Sequence, residues 1–344
     1  MGELTRAAFI TPEIAQLDGS IVSFSMQELE GAAEIVSGVL PPTPQYPWPK
    51  LRRRTGCTVW VKHENHTPTG AFKVRGGIVY MDRLSRAEPR VTGLVSATRG
   101  NHGQSVAFAA ALAGIPTTIY VPHGNSPDQN SAMQAFGATV VETGKDFDEA
   151  RHAAFKAAAV EGWHFVPPFH RDLVAGVASY ALEFFRAVPN LDSVYVGVGM
   201  GSGICGLIAV RDLLGLRTEI IGVGAAAASA TAQSFAAGRP IATQSALTFA
   251  DGIATREPDA DAIATICRGA ARFVQVDEDS IAEAMRIFFD DTHQIAEGAG
   301  AAPLAALLQE RQRMANRTVG VILTGGNIER VRLLQVLGGH TPSA

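Results

Sequence analysis

Short runs of apolar and β-branched residues alternate with alanine-rich stretches through most of this chain. The first kind of run is typical of buried strands, and the second places apolar residues at the spacing of a helix. Strands and helices that alternate in this way form parallel sheets, because parallel strands need a crossover connection that a helix provides. The sequence therefore predicts an α/β fold. The predicted strands are 58–64, 93–98, 117–122, 139–144, 193–199, 219–224 and 319–326, and the predicted helices include 102–114, 131–137, 147–162 and 204–215.

The strand and helix repeats fall into two groups. Residues 86–167 contain three repeats of their own, whereas the strands before and after this block would pair with one another across it. We therefore expect a small domain, residues 86–167, inserted into a large domain of residues 1–85 and 168–344, with a cleft between them. Residues 1–45 form a lead-in that ends in the proline-rich stretch 41–49, which we expect to be extended and packed against the body.

Composition and charge exclude several classes of protein. A net charge of −4 and a charged fraction of 18% favour no electrostatic attraction to nucleic acid. No uninterrupted apolar stretch reaches the roughly 18 residues that a membrane-spanning helix needs. The early charges Glu3 and Arg6 are atypical of a secretory signal, and the three cysteines are far apart, which favours a reducing compartment. We expect a cytoplasmic protein whose partner is a small molecule.

The most informative lysine lies in the stretch TPTGAFKVRGG, residues 67–77. Lysine is scarce in this chain, with five among the 29 Lys and Arg residues, and Lys73 lies between Phe72 and Val74. An amine in an apolar setting has a lowered pKa and can be neutral at working pH, as a Schiff-base nucleophile must be. Taken by itself, the stretch favours a solvated lysine at the start of a helix, and only the other motifs favour a chemical role.

A second motif is the Gly-Asn-His-Gly turn within residues 96–114, which runs from a predicted strand into a predicted helix. The backbone N–H groups at the start of that helix suit an anion such as a substrate carboxylate, and Asn101 and His102 would lie beside it. The alternative is that Asn101 caps the helix and His102 lies at the surface of its first turn.

A third motif, VYVGVGMGSGICG (194–206), places five glycines between a predicted strand and a predicted helix. Such a loop exposes successive amides to a phosphate. It also contains a formal G-x-G-x-x-G, Gly201 to Gly206, which would indicate a dinucleotide fold. That alternative lacks the acidic residue expected at the end of the next strand, since Glu219 opens that strand and Gly224 closes it. We therefore favour a site for a single phosphate.

The fourth motif, ILTGGN (322–327), ends a predicted strand at Thr324 and two glycines. A hydroxyl at the carboxyl edge of a strand lies where open α/β sheets bind their ligands. A turn that simply requires two glycines is the alternative. The motif gains weight from the three that precede it in the chain.

In this order and spacing, the four motifs resemble the fold-type-II pyridoxal-phosphate family, which includes the serine/threonine dehydratases and serine racemase. The resemblance extends from about residue 41 to about residue 327. It implies a tryptophan-synthase-β-like fold with two open, twisted, mostly parallel sheets and helices on both faces. It also implies pyridoxal 5′-phosphate as the cofactor, and a homodimer. The motifs are specific for the family and much less so for the substrate.

The resemblance gives the matching residues roles in binding the cofactor. Lys73 would hold it covalently and move the Cα proton, Phe72 would pack by its ring, and Asn101 would bond its 3-hydroxyl. Thr324 would face the pyridine nitrogen, and Glu297 falls where the family has a glutamate near the cofactor. The phosphate would lie in the loop of Gly199, Met200, Gly201, Ser202 and Gly203. The substrate would be bound by Thr98, Arg99, Asn101 and His102.

These roles imply a dehydratase, or ammonia-lyase, that converts serine, threonine or a 3-substituted serine to a 2-oxo acid and ammonia. Three alternatives stay open. The substrate could be 3-hydroxyaspartate or an aryl-serine, or the same site could carry out β-replacement with an external nucleophile. A binding protein that retains the cofactor without turnover is disfavoured by the intact Lys73, Asn101 and Thr324.

The sequence departs from the family pattern at two positions. Serine racemase has a serine before Gly-Asn-His-Gly as a base, but this chain has Arg99, whose guanidinium stays charged and cannot accept a proton. Racemisation is therefore disfavoured. Arg99 would instead bind a distal carboxylate of the substrate or, as we favour, pair with a residue of the other domain. Gly224 replaces the glutamate of the family's divalent-metal site, and His63 and His66 are expected to be hydrogen-bonded scaffold, so we expect no metal.

Overall fold

The computed structural model describes residues 20–87 and 91–344. Within them the strands form a six-stranded sheet in the order β1-β2-β10-β7-β8-β9 and a four-stranded sheet in the order β5-β4-β3-β6. All neighbouring strands are parallel except β1 and β2. The strands are β1 (Gln45–Pro47), β2 (Thr58–His63), β3 (Leu94–Ala97), β4 (Thr117–Val121), β5 (Thr139–Glu142), β6 (His164–Phe165), β7 (Ser193–Gly197), β8 (Glu219–Ala225), β9 (Arg272–Val276) and β10 (Thr318–Leu323).

Strand β7 illustrates why the larger sheet is buried on both faces. Val194 and Val196 belong to one apolar core, and Tyr195 between them belongs to the other. Successive residues of a strand point to opposite faces, so a strand that is apolar at every position must be covered on both sides. This is the physical basis of the continuous apolar runs in the sequence.

Helices provide that cover. The bounds are α1 (Met26–Ser37), α2 (Pro49–Thr55), α3 (Lys73–Ser85), α4 (Asn101–Ala113), α5 (Pro127–Ala135), α6 (Phe147–Glu161), α7 (Arg171–Ala187), α8 (Ser202–Leu213), α9 (Ala230–Ala237), α10 (Ala260–Gly269), α11 (Glu278–Thr292), α12 (Gly298–Gln309) and α13 (Arg330–Leu337). Helices α1, α3, α7, α8, α9 and α10 contribute buried residues to one core of the larger sheet, and α2, α11, α12 and α13 to the other. None of the helices described is long and apolar enough to cross a membrane.

The smaller sheet is covered in the same way. Leu94 of β3 packs in a core with Val106 of α4, whereas the next residue, Val95, packs in a separate core with Ala154 of α6. The structure thus confirms the predicted α/β fold with two mostly parallel sheets and helices on both faces. All strands of the smaller sheet lie inside residues 86–167. Residues 88–90, near the start of this range, and residues 1–19 lie outside the described residues.

The elements that the sequence analysis missed have specific reasons. Strand β1 lies at a sheet edge, the position at which a strand tolerates a proline such as Pro47. Strand β9 begins with Arg272, whose buried guanidinium breaks the apolar pattern and bonds Glu310 at 2.6 Å. Helix α1 lies inside the predicted lead-in and begins with a capping box, in which Ser25 and Glu28 satisfy one another's backbone N–H groups.

Candidate active site

A cavity of about 700 Å³ lies where the loops after several strands of both sheets meet. Every residue to which the sequence analysis gives a site role lines this cavity. The carboxyl ends of parallel strands are the usual position of ligand sites in open α/β sheets. The fold therefore brings together four motifs that are far apart in the sequence.

Lys73 is the first residue of α3, and the loop before it is fixed by backbone bonds to the loop after β10. Phe72 N–H donates to the carbonyl of Thr324 at 3.0 Å, and Gly326 N–H donates to the carbonyl of Gly70 at 2.9 Å. Ala71 forms an isolated antiparallel bridge in the same region. Lys73 and Thr324 are thus held side by side by main-chain geometry, whatever their side chains do.

The amine of Lys73 lines the cavity and has no hydrogen-bond acceptor among the residues described. Its nitrogen lies 5.3 Å from the centroid of the Phe72 ring. Burial lowers the pKa of Lys73 to about 8, and the negative charge of Glu297 opposes part of that shift. A substantial fraction of the amine is therefore neutral at slightly alkaline pH, which is the form that attacks a carbonyl.

Asn101 and Glu297 form a chain of side-chain bonds beside the lysine. Asn101 Nδ2 donates to Glu297 Oε1 at 2.8 Å, and Asn327 Nδ2 donates to Asn101 Oδ1 at 2.8 Å. These two bonds fix the orientation of the Asn101 amide. Burial raises the pKa of Glu297 to about 7, helped by the charge of Asp251 and opposed by the bond from Asn101.

The Gly-Asn-His-Gly turn forms the N-terminus of α4, as predicted. Thr98 Oγ1 accepts bonds from the backbone N–H groups of Gly100 at 2.9 Å and Gly103 at 3.2 Å. The first N–H groups of a helix have no acceptor inside it, so those of Asn101 and His102 are the donors that Thr98 leaves for a ligand. The hydroxyl of Thr98 therefore supports the turn through its oxygen, while its own hydrogen remains available to a ligand in the cavity that Thr98 lines.

The His102 side chain is 7% exposed and lines the cavity. Its Nε2 atom is buried and has no hydrogen-bond partner in the described part of the chain. Burial, and then the charge of Lys73, lower the pKa of His102 to about 3, so the ring is neutral near pH 7.

The glycine loop after β7 leads into α8, whose N-terminus has no side-chain cap. A Cβ at Gly199 would lie 2.3 Å from the carbonyl oxygen of Gly252, so only glycine fits there, and Gly201 has a φ of +99°. Ser202 Oγ is buried and lacks a partner among residues 20–87 and 91–344. We call Lys73 Nζ, His102 Nε2 and Ser202 Oγ the open groups of the cavity.

Arg99 pairs across the cavity, as the favoured alternative expects. Its Nη1 donates to Asp251 Oδ1 at 3.1 Å, and Arg332 Nη1 lies 3.6 Å from Asp251 Oδ2. Both members of the first pair are nearly half exposed, so the bond is weak in water. Two further ion pairs link the same two regions of the chain at the cavity rim, Arg256 with Asp148 at 2.7 Å and Arg151 with Glu257 at 2.7 Å.

The sequence analysis missed several residues of the cavity. Asn327 orients Asn101, and Asp251 pairs with Arg99, yet neither was given a role. The signal for Asn327 was present, since it follows the two glycines of ILTGGN directly. Asp251 lies in a one-turn 3₁₀ helix within an irregular stretch, and no pattern in the sequence indicates its position.

Comparison with known proteins agrees with this site. The family model described as pyridoxal-phosphate dependent enzyme matches residues 36–325. The chain belongs to this family. It is 37% identical over 277 residues to an L-threonine ammonia-lyase of Geobacter sulfurreducens, a match that covers 80% of this chain and 69% of that protein. Pyridoxal phosphate as the cofactor is thereby confirmed.

Two other relatives cover nearly the whole chain. An L-threo-3-hydroxyaspartate ammonia-lyase of a Pseudomonas species is 29% identical over 316 residues, covering 92% of this chain and 99% of that one. The solved structure of the processed form of threonine deaminase isoform 2 from Solanum lycopersicum has a TM-score of 0.84 and 27% identity, covering 96% of this chain and 99% of the other. The predicted fold-type-II family is confirmed by these matches.

The residues present fit the cofactor of this family. Ser202 Oγ, one of the open groups, lies buried at the uncapped N-terminus of α8, where a phosphate would supply its missing partner. The close approach of Gly252 to Gly199 leaves space only for main-chain atoms in the loop. The amine of Lys73 lies in the same cavity and is free to form a Schiff base.

The predictions about metals can be compared only with the described residues. Among these, no group of three or more His, Cys, Asp and Glu side chains is placed to hold a metal ion. His63 Nε2 accepts a bond from Trp48 Nε1 at 3.1 Å, and His66 Nε2 lies 2.6 Å from Gln294 Oε1. Both histidines are thus hydrogen-bonded within the scaffold.

Proposed function

We propose that this protein is a pyridoxal-phosphate-dependent ammonia-lyase that removes water and then ammonia from a β-hydroxy amino acid. Its substrate would be serine, threonine or a 3-substituted serine, and its products a 2-oxo acid and ammonia. The observation that carries the proposal is the open amine of Lys73, with its lowered pKa, in one cavity with the uncapped N-terminus of α8 and the free N–H groups of Asn101 and His102. The ammonia-lyase and deaminase names of the relatives agree with it.

The cofactor would be held at both ends. Ser202 and the glycine loop Gly199–Gly203 would bind its phosphate through main-chain N–H groups and the serine hydroxyl. Lys73 would hold its aldehyde carbon, Phe72 would pack by the ring, and Thr324 would face the pyridine nitrogen. Asn101 and Glu297 would lie at the ring edge, with the amide of Asn101 oriented by Asn327.

When bound, the cofactor supplies an electron sink that stabilises negative charge at the substrate Cα. The residues of the chain supply the rest. The N–H groups of Asn101 and His102 bind the substrate carboxylate and orient the Cα–H bond. Lys73, once exchanged for the substrate amine, takes the Cα proton, and its lowered pKa suits this use as a base. Glu297 has a pKa of about 7, so its carboxyl beside Lys73 is protonated below that pH and negatively charged above it.

A second substrate, 3-hydroxyaspartate, is favoured by one observation. Arg99 and Arg332 both line the cavity and share the carboxylate of Asp251. A distal carboxylate on the substrate would compete with Asp251 for the same two guanidinium groups. The L-threo-3-hydroxyaspartate ammonia-lyase among the relatives supports including this substrate in the test.

The test is a panel of serine, threonine, 3-hydroxyaspartate and 3-phenylserine, assayed for release of 2-oxo acid and ammonia in equal amounts. Ammonia-lyase activity requires neither a thiol nor any other second substrate. If product forms only when an external nucleophile is added, the protein is a β-replacement synthase instead. Arg99→Ser should lower activity with 3-hydroxyaspartate more than with serine. If the ratio of the two activities is unchanged, Arg99 does not bind a distal carboxylate of the substrate.

We also propose three coarser features. The chain would divide into a small domain, residues 86–167, and a large domain of residues 1–85 and 168–344. The protein would be cytoplasmic, in keeping with the free thiols of Cys57, Cys205 and Cys267 in the described chain. It would form a homodimer, and the exposed apolar residues at helical spacing on α13, Val331, Leu334 and Leu337, would suit the interface.

A further inference from the structure

Tyr180 of α7 has a buried hydroxyl to which the proposed function gives no role. The side chain is fully buried and lies behind the residues of the described chain that line the cavity. Its hydroxyl donates to the carbonyl of Gly203 at 3.0 Å. The direction of this bond is fixed, because a carbonyl oxygen can only accept. Burial raises the pKa of Tyr180 well above its ordinary value, so the proton that the bond needs is present at any working pH.

The acceptor of this bond belongs to the first turn of α8. Ser202 is the first residue of the helix, Gly203 the second and Ile204 the third. The carbonyl of Gly203 and the N–H of Ile204 are parts of one peptide group, so a donor on the oxygen polarises that N–H and makes it a stronger donor. The first N–H groups of a helix have no acceptor inside it. Tyr180 therefore strengthens one of the donors at the uncapped N-terminus of α8.

The ring of Tyr180 contacts the other end of the proposed cofactor site. It packs edge to face with the ring of Phe72, with ring centroids 6.2 Å apart and an interplanar angle of 88°. Phe72 directly precedes Lys73 in the chain. A Cβ on Gly203 would lie 3.3 Å from the hydroxyl oxygen of Tyr180 and 3.6 Å from Cε2 of Phe72, so both rings lie against the glycine loop. One side chain thus joins the glycine loop to the loop of the lysine.

We propose that Tyr180 is a positioning residue for the cofactor phosphate: its hydroxyl holds the first turn of α8 and strengthens the N–H of Ile204 as a donor to an anion. The inference rests on the proposed binding of the phosphate by the glycine loop. Tyr180 belongs to an apolar core, in which a phenylalanine would fill the same space without a polar atom. Packing alone therefore does not require the hydroxyl, whereas an anion site at the end of α8 makes use of it.

The test compares pyridoxal phosphate with pyridoxal, which has the same ring and aldehyde but no phosphate. In fluorescence titrations of the full chain freed of cofactor, Tyr180→Phe should raise the Kd of pyridoxal phosphate about 3- to 10-fold, as expected for the loss of one hydrogen bond. It should change the Kd of pyridoxal by less than about 2-fold, because that ligand does not use the N–H of Ile204. Inorganic phosphate, measured by competition with pyridoxal phosphate, should lose affinity by the same factor as the cofactor.

The matched control is Tyr195→Phe. Tyr195 is also fully buried and its hydroxyl is also bonded, but it donates to Glu310 and lies in the other core of the larger sheet. This variant should leave the ratio of the two Kd values unchanged. If Tyr180→Phe changes both Kd values by the same factor, or neither, the hydroxyl serves only the fold and the inference is overturned. If the wild type binds pyridoxal as tightly as pyridoxal phosphate, the proposed phosphate site itself fails, and the inference fails with it.

A second measurement remains informative if Tyr180→Phe does not fold. A hydroxyl proton that is buried and bonded exchanges slowly with water, so those of Tyr180 and Tyr195 should give separate ¹H NMR signals. When inorganic phosphate is added to the cofactor-free wild type, the Tyr180 signal should shift, because the polarised peptide group of Gly203 and Ile204 gains an acceptor. The Tyr195 signal, assigned by its loss in Tyr195→Phe, should stay in place. An unchanged Tyr180 signal at saturating phosphate would overturn the inference.

Discussion

Two buried polar regions lie at either end of the first turn of α3. On one side, Lys62, Glu64, Arg75 and Glu183 form what we call the charge cluster, in which Arg75 bonds Glu64 at 2.7 Å and Glu183 at 2.7 Å, and Lys62 bonds Glu183 at 2.6 Å. On the other side lies Lys73, only two residues before Arg75 in the chain, with the other open groups of the cavity.

The difference teaches how to distinguish a structural charge from a functional one. Removing charges from water is costly, and a fold tolerates it when each charge finds partners, as in the charge cluster. A polar group that stays open after folding raises the free energy of the folded protein, unless a ligand supplies the partner. The same helix turn thus contains Arg75, whose partners come from the chain, and Lys73, whose partner in our proposal is the cofactor.

The largest expected effect separates the two buried lysines. Lys73→Ala should lower kcat on the order of 10⁴-fold or more, because both the covalent bond and the proton transfer are lost. Its free energy of unfolding without cofactor should not fall below that of the wild type, because the buried amine has no partner in the described chain and is penalised by burial. Lys62→Met should show the reverse pattern, a loss of stability of about 1 to 3 kcal/mol, because Glu183 keeps Arg75 but loses one of its two cationic partners. Steady-state assays and urea unfolding of both variants measure this contrast. If Lys73→Ala turns over substrate at the wild-type rate, Lys73 is not a residue of the active site.

The second prediction concerns the charge cluster. Glu64 and Arg75 are both fully buried, so Glu64→Gln leaves a guanidinium with one carboxylate fewer and should lower the free energy of unfolding by about 3 to 5 kcal/mol. The control is Arg186→Gln, which breaks an exposed pair with Glu30 and should cost less than about 1 kcal/mol. Urea denaturation followed by circular dichroism measures both, and equal costs would contradict the contrast.

The third prediction uses the raised pKa of Glu297. In the folded state this pKa is about 7, against 4.5 for an ordinary glutamate, so the folded protein binds the extra proton between these values. Stability from this group is therefore fully present below pH 4.5 and is lost as the pH rises through 7. Glu297→Gln should match the cofactor-free wild type at pH 5 and exceed its stability by up to about 3 kcal/mol at pH 8.

Lys73 contributes to that profile with the opposite slope. Its folded pKa of about 8 lies below the ordinary 10.5, so its stability penalty is present below pH 8 and disappears as the pH rises to 10.5. The pH range in which Glu297 loses its stabilising effect, 4.5 to 7, does not overlap the range in which the penalty from Lys73 disappears, 8 to 10.5. Unfolding curves at pH 5, 8 and 10 for the wild type and Glu297→Gln would separate the two contributions. If the difference in the free energy of unfolding does not depend on pH, burial does not raise the pKa of Glu297.

The smallest expected effect compares two buried serines. Ser234 Oγ donates to the carbonyl of Ala230 at 2.7 Å and accepts from Ile241 N–H at 2.8 Å, so Ser234→Ala should cost about 1 kcal/mol. Ser202→Ala removes an open group and should leave the cofactor-free protein at least as stable as before. It should instead weaken pyridoxal phosphate binding about 5- to 10-fold, measured by fluorescence titration. A stability loss in Ser202→Ala would place that hydroxyl among the structural groups.

Much of the fold and the centre of the site were predictable because they depend on local patterns. Continuous apolar runs predicted β7 and β10, and the glycines after β7 predicted a loop that the structure places at the cavity. Strand β9 escaped because its pattern is broken by Arg272, whose partner Glu310 lies in a distant part of the chain. A buried ion pair between distant residues leaves no periodic signal.

The rest of the site depends on contacts between segments that are far apart in the chain. The bond from Arg99 to Asp251 and the bond from Asn327 to Asn101 join residues on different loops, so no local pattern indicates either one.

The main-chain bond between Phe72 and Thr324 also has a consequence for biosynthesis. A ribosome makes the lysine loop before the smaller sheet, whereas strand β10, which pairs with β2 and leads to Thr324, is made after that sheet. The smaller sheet is contiguous and can assemble while translation continues, since domains generally fold as units during synthesis. The vitamin-derived cofactor therefore finds the complete proposed site only after β10 has left the ribosome.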